Sequence, residues 1–358
     1  MDPRSSRLPL LVLLVLILGI GLGAATMWLF GVSGAVSLDS DVEIVMPLPA
    51  GLNEVPPAPT EMIHGVDRHS PGPGALPEQD RARARPPVEL FTKLLQASVY
   101  GRVPVRAADG STSLRTYSAP EPERVVADGS AAVTQGAGAR VAIAVVDLGL
   151  DQQVSRQSVA LPWPVSFAVT PYIATAPDWQ RFMRWHGHEV FTMLPIEALD
   201  PENDDQGALA IPVHDDQTGR LDRLDQVMSR GSGYVGLAGA ARGLAAGVDA
   251  FAAIADDLQA RGLGFMELDG RFLEPVAREA GLPYISMTMA LDEELTPASI
   301  DARLDDLERL ALANGFATAY TGPVPVVLDR IWNWSRDLSA RGVTLVPATS
   351  LMVPEGGP

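Results

Sequence analysis

The sequence predicts an α/β fold built on a parallel sheet, and three observations carry that prediction. Val141 to Val146 is an unbroken apolar run rich in β-branched residues, which suits a strand covered on both faces. After Arg140 the chain alternates strand-like and helix-like stretches. Glycines stand where the helices should end, at Gly187, Gly262, Gly281, Gly315 and Gly342, where a left-handed residue is needed. Repeated βα units imply a parallel sheet, and seven or eight strands are enough to close a barrel.

Arg4 and Arg7 precede an uncharged stretch, Leu8 to Leu38, of which Leu8 to Phe30 is apolar enough to cross a bilayer as one helix. The basic residues on its N-terminal side predict a cytoplasmic stub, with everything after Phe30 outside the cytoplasm. A cleaved signal peptide is the alternative, but its apolar core normally runs to only about 7 to 15 residues, so an uncleaved inner-membrane anchor over residues 1–35 is expected. Gly19 and Gly23 form a GxxxG pair, a weak signal for helix pairing. Residues 36–87 hold ten of the 30 prolines and little apolar periodicity, as in a disordered linker. Residues 88–139 read as an N-terminal extension packing on the main domain, with a short amphipathic helix over Val88 to Val99 that puts Leu90, Leu94 and Leu95 on one side.

Residues 140–358 form the main domain. Expected strands are Val141–Val146, Val165–Thr170, Glu189–Leu194, Tyr234–Leu237, Gly264–Leu268, Tyr284–Met287, Ala317–Tyr320 and Val343–Val346. Expected helices are Thr175–Trp185, Arg220–Ser229, Val248–Arg261, Arg271–Ala280, Ile300–Asn314 and Val326–Ala340.

Composition narrows the chemistry. A formal charge of -17 with no visible basic patch argues against a nucleic-acid partner. Zero cysteines exclude disulfides, thiolate metal sites and cysteine nucleophiles. Only five histidines, His64, His69, His186, His188 and His214, are available as imidazole ligands.

Asp147 follows the strand at Val141 to Val146. Ligands and catalytic groups gather at the carboxyl ends of strands in barrels and open α/β sheets, so Asp147 is the first candidate catalytic residue. The competing reading is that it starts a turn and caps the helix after Gly149.

Several motifs in register resemble the divergent polysaccharide deacetylase family, relatives of the NodB-type carbohydrate deacetylases. These are VVDLGL at Val145 to Leu150, GHEVFTMLPIEAL at Gly187 to Leu199, Asn203-Asp204, GYVGL at Gly233 to Leu237, LDGR at Leu268 to Arg271, and TGPVPVV at Thr321 to Val327. The resemblance spans about Arg140 to Leu351, with Leu95 to Glu121 similar to the lead-in of alphaproteobacterial members. It implies a distorted (β/α) barrel of about seven parallel strands, here preceded by one transmembrane helix and a linker.

The resemblance also implies metal-dependent hydrolysis of an acetamide, in which carboxylate and imidazole ligands hold an ion that activates water. This sequence departs from that pattern. Val146 stands for the first aspartate of the family's D-D pair, Met193 for the histidine before L-P, Ala240 for the histidine of N-H-M-G-S, and Gly322 for that of G-H-P. No metal and no cofactor are therefore expected. Asp147, Asp269 and Glu197 remain as candidate catalytic carboxylates near strand ends, with Glu267 ambiguous. An oxygen-only set would suit magnesium or calcium rather than zinc, and clustered carboxylates without metal would raise one another's pKa. The competing reading has Asp269 capping the Arg271 helix and Glu197 starting a loop.

The candidate binding residues are His188, Arg271 and Trp332. His186 and His188 flank a helix-ending glycine, so a structural role competes with ligation. His214 and the acidic run Asp200 to Asp205 read as solvated loops. Trp332 and Trp334 near the last βα loop could line a glycan groove, although residues two apart on a helix point to different sides. The expected partners are a glycan or peptidoglycan-related ligand, an envelope protein, and the inner membrane through residues 8–30, with the C-terminal domain in the periplasm. A non-catalytic glycan-binding or protein-binding scaffold is the alternative to an enzyme.

Overall fold

A computed structural model of the chain describes residues 93–122, 138–198, 200–212, 216–241 and 249–352. The predicted anchor and linker, His64, His69 and His214 lie outside the described residues. Among the described residues no helix is long and apolar enough to cross a membrane.

The central strand is β3, Ala139–Leu148, the long buried run that the sequence marks. Around it lie β4 (Ser166–Val169), β5 (Val190–Met193), β6 (Gly236–Ala240), β7 (Gly264–Leu268), β8 (Tyr284–Met287), β9 (Met289–Ala290), β10 (Phe316–Thr321) and β11 (Val343–Leu345). All pair in parallel, in the order β8-β7-β6-β5-β4-β3-β10-β9, with β11 added to β3. Seven of the strands have four or more residues, and β9 and β11 are short additions. The seam lies between β8 and β10. No backbone ladder joins these two strands. Thr318 on β10 instead donates its hydroxyl to Ser286 O at 2.7 Å and accepts from Thr288 N at 3.3 Å, so one side chain bridges the gap.

Alternation sorts the strand residues into two cores. On β3, Ala142, Ala144 and Val146 face inward with Ala168, Phe191, Ala238, Met266 and Met287. Val141, Ile143 and Val145 face the helix layer with Phe167, Trp179 and Phe182. Three of the inward residues on β3 and its neighbour β4 are alanines, which leave the narrow interior room for Phe191 and the methionines.

Six of the helices answer the predicted periods, and most start at proline or cap signals. The helices are α2 (Gln152–Ser158), α3 (Ala176–Trp185), α4 (Gln217–Ser229), α5 (Asp249–Arg261), α6 (Glu274–Ala280), α7 (Pro297–Asn314) and α8 (Pro325–Ser335), after a single turn α1 at Ser113–Tyr117. Four of them, α3, α6, α7 and α8, carry a proline in the first turn, where its missing N–H costs nothing. The five helix-ending glycines all have positive φ; at Gly281 (φ 67) the N–H returns to Ala277 O and Arg278 O.

The helix expected over Val88 to Val99 is corrected where it is described. Leu95–Ser98 is strand β1, paired antiparallel with β2, Gly101–Pro104, across a tight turn at Val99-Tyr100. The leucine spacing is too short to outweigh a hairpin whose second strand buries Val103 against Leu224, Val227 and Met228 of α4. Leu94, Ala107 and Tyr117 then join Ala348 and Met352 to floor the barrel interior.

Candidate functional site

The mouth of the barrel lies at the carboxyl ends of the strands. Val145 and Leu148 pair with Phe167 and Val169 of β4, and the register shifts between them, so β3 bulges at Val146-Asp147. Asp147 consequently has φ 56 and Asp269, just past β7, has φ 57; they are the two non-glycine residues with positive φ among the described residues. Aspartate tolerates the left-handed region better than most residues, but a residue held there costs free energy that surrounding structure must offset.

Neither aspartate is a helix cap. Asp151, not Asp147, caps α2 by accepting from Val154 N at 3.0 Å. Glu267, not Asp269, serves α6: its Oε1 accepts from Phe272 N at 2.8 Å and its Oε2 from Leu273 N at 3.0 Å and from the Tyr284 hydroxyl at 2.5 Å. Glu267 is fully buried on the helix side of β7, opposite in phase to Met266 and Leu268, which resolves its ambiguity in favour of structure. Helix capping therefore does not account for the bend at either aspartate.

Asp147 is exposed at the end of β3. Loss of surrounding water, and then the charge of Asp292, raises its pKa. Asp292, in the loop after β9, accepts from Gly322 N at 2.7 Å and so ties that loop to the end of β10. A Cβ at Gly322 would stand 3.2 Å from Asp292 Oδ2, so a side chain there would crowd this carboxylate. Sequence reasoning missed Asp292 because β9 is only two residues long and gives no periodic signal.

Glu197 is half-buried beyond the Ile196–Ile211 bridge, with its N–H on Ile211 O at 3.0 Å. Among the described residues, no group of three or more His, Asp or Glu is gathered closely enough to hold a metal ion. At the strand ends Val146 is buried, Met193 half-buried, Ala240 exposed and Gly322 half-buried.

The three predicted binding residues are dispersed. His188 is buried on the helix side of the sheet, stacked on Phe167 at 4.1 Å, with Nδ1 2.9 Å from Val165 O and Nε2 3.4 Å from Val159 O. Burial lowers its pKa to about 4, so it is a neutral structural imidazole, and a ligand in the mouth has no access to it. His186 caps α3 through Nδ1 on Phe182 O at 2.9 Å, as its place after a helix implies. Trp332 is buried between sheet and helices, where α8 needs an apolar residue, and offers no open face to a sugar. Arg271 is exposed and borders a groove of about 380 Å³ with Thr288, Phe316 and Thr318 at the β8–β10 seam.

These features define a parallel α/β near-barrel with an acidic, strained mouth. A profile of the divergent polysaccharide deacetylases matches residues 143–352, and the chain belongs to that family. An uncharacterized protein of Agrobacterium tumefaciens C58 is 28% identical, with a TM-score of 0.63 over 70% of this chain and 99% of that one. A family 4 carbohydrate esterase from Streptomyces lividans in complex with acetate is 13% identical, with a TM-score of 0.34 over 62% of this chain and 100% of that one. A putative cellobiose-phosphate cleavage protein of Enterococcus faecalis V583 is 11% identical, with a TM-score of 0.44 over 60% and 100%. No curated protein matches the chain.

Proposed function

We propose that this protein is a membrane-anchored, periplasmic member of the family that binds a glycan of the cell envelope in its barrel mouth without hydrolysing it through an imidazole-held metal. The observation that carries this reading is the donor set at the mouth. The positions that the resemblance assigns to ion ligands supply Asp147 and then Met193, Ala240 and Gly322 here, and the last three offer no donor side chain that suits a catalytic ion. Asp147 and Asp269 remain, and two carboxylates do not make the three-ligand set with one open position that such chemistry uses. The residues present do not fit the metal, and no step is drawn through one. What the mouth offers instead is carboxylate acceptors for sugar hydroxyls at Asp147 and Asp269, on a backbone already bent for that purpose.

A second reading is favoured by one feature. The raised pKa of Asp147 would let it carry a proton to or from a substrate, which makes it a general acid or base without metal.

The test uses the full chain in detergent or nanodiscs. Retention on immobilised peptidoglycan and acetate release from N-acetylated oligosaccharides are measured with and without added zinc. Retention that Asp147→Asn abolishes, with no acetate release, is the expected result. Acetate release that needs zinc, together with stoichiometric zinc binding lost in Asp147→Asn, would overturn it; metal-independent release lost in Asp147→Asn would establish the second reading. A reporter enzyme active only in the periplasm, fused after Pro358, checks the orientation and should work.

A further inference from the structure

The base of the barrel holds a cavity of about 260 Å³, at the opposite end of the strands from the mouth. Its walls come from α1 and the segment leading to it, from Gly262 and Pro283 at the starts of β7 and β8, and from the C-terminal turn at Thr349 and Met352. No carboxylate lines it among the described residues, although the chain carries 44 acidic and 27 basic side chains. Two guanidinium groups do, Arg106 and Arg115.

The two arginines differ. Arg106 is held at the end of α5, with Nη2 on Gln259 O at 3.0 Å and Nε on Ala260 O at 3.4 Å. That anchors one fork at the rim. The Arg115 guanidinium makes no hydrogen bond or ion pair with any described residue, while its backbone N–H donates to Thr112 Oγ1 at 3.3 Å. Leu114, Pro283 and Met352 add apolar side chains to the lining. The nearest buried acid, Glu189, lies behind Thr349 and is fully engaged by it and by Ser166, so its charge is spent inside the floor.

A cavity with cationic rim and apolar wall recognises an anion that carries an apolar tail, since the fork geometry of arginine matches carboxylate or phosphate oxygens and the wall gains from chain burial. Its size selects further: ordinary ligand pockets run to about 300–1,000 Å³, so this one takes a head group with a chain of a few carbons and not a sugar oligomer. We propose that the base cavity is a binding site for a small anionic amphiphile, with the head group on Arg115 and Arg106 and the chain against Leu114, Pro283 and Met352. The site is separate from the mouth and does not depend on what the mouth does.

Titration calorimetry on the full chain tests it with four probes: hexanoate, hexyl phosphate, acetate and hexylamine. One-to-one binding of hexanoate or hexyl phosphate is expected, with the tighter of the two identifying the head group. Acetate should bind at least tenfold more weakly, and hexylamine not at all. Arg115→Gln should weaken the anion at least tenfold while leaving the urea midpoint unchanged, because the side chain is exposed and has no partner among the described residues; Asp147→Asn should leave binding intact. Binding unaffected by Arg115→Gln, acetate binding as tight as hexanoate, or no binding of either six-carbon anion at millimolar concentration would each overturn the proposal.

Discussion

Glu189 and Asp147 are carboxylates at opposite ends of one barrel, and both have pKa values raised first by desolvation. Glu189 is fully buried, yet its Oε1 accepts from Ser166 Oγ at 2.7 Å and from Thr349 N at 3.1 Å, and its Oε2 accepts from Thr349 Oγ1. Those donors, with the Ala119 N–H, oppose the rise. Glu189 thereby bolts the lead-in segment and the C-terminal turn to the barrel floor. Asp147 sits on a bulge with left-handed backbone, and its neighbour in charge is another acid, Asp292. A buried carboxylate surrounded by donors holds a fold together, whereas one set on strained backbone beside a like charge adds little to stability.

The sharpest test of that contrast is Glu189→Ala. It leaves the Ser166 hydroxyl and both Thr349 donors without their acceptor and should cost about 3 to 5 kcal/mol in urea unfolding. A loss under about 1 kcal/mol would show that the floor does not depend on it. Glu267→Ala should rank next, at about 2 kcal/mol, because the Phe272 and Leu273 N–H groups and the Tyr284 hydroxyl lose their partner. Its failure to destabilise would return the capping role to Asp269.

His188 extends the comparison to pH. Its folded pKa, about 4, lies below the unfolded value, so the folded state binds fewer protons between the two. Stability is therefore present above about pH 6.5 and is lost as pH falls towards 4, by roughly 1.5 kcal/mol between 6.5 and 5. His188→Gln should flatten that part of the wild-type profile; equal pH slopes in the two proteins would mean that His188 is not the group responsible.

The smallest effects belong to the mouth. The folded pKa of Asp147 is raised, so ionisation at neutral pH disfavours the fold, and Asp147→Asn should leave the melting temperature unchanged or slightly higher. Asp147→Ala should be less stable than Asp147→Asn by about 1 kcal/mol, because alanine pays more to stay left-handed. If the two variants melt together, the bend is not held in solution.

The seven main strands, six of the helices and the helix-ending glycines were legible in the sequence because each is a local signal: apolar β-branched runs, 3.6-residue periods and glycines at positive φ. Gly264–Leu268 and Tyr284–Met287 match to the residue, since both faces are buried and nothing but strand fits. The hairpin at Leu95–Pro104 was not, because its stability comes from α4, more than a hundred residues away. Of the candidate site, Asp147 and Asp269 could be found from their place after a strand.

What the sequence determined by itself is therefore the parallel α/β barrel and the carboxylates at its strand ends, because periodicity and strand ends are written locally. Only the tertiary structure decided which side of the sheet each polar residue faces. A strand alternates faces with every residue and a bulge shifts that phase, so Glu267 and His188 turn to the helix layer while Asp147 bends left-handed at the mouth. The tertiary structure likewise brought Arg106 and Arg115 to one cavity with Met352, joining residues that share no motif and meet only because both ends of the described chain close the barrel floor.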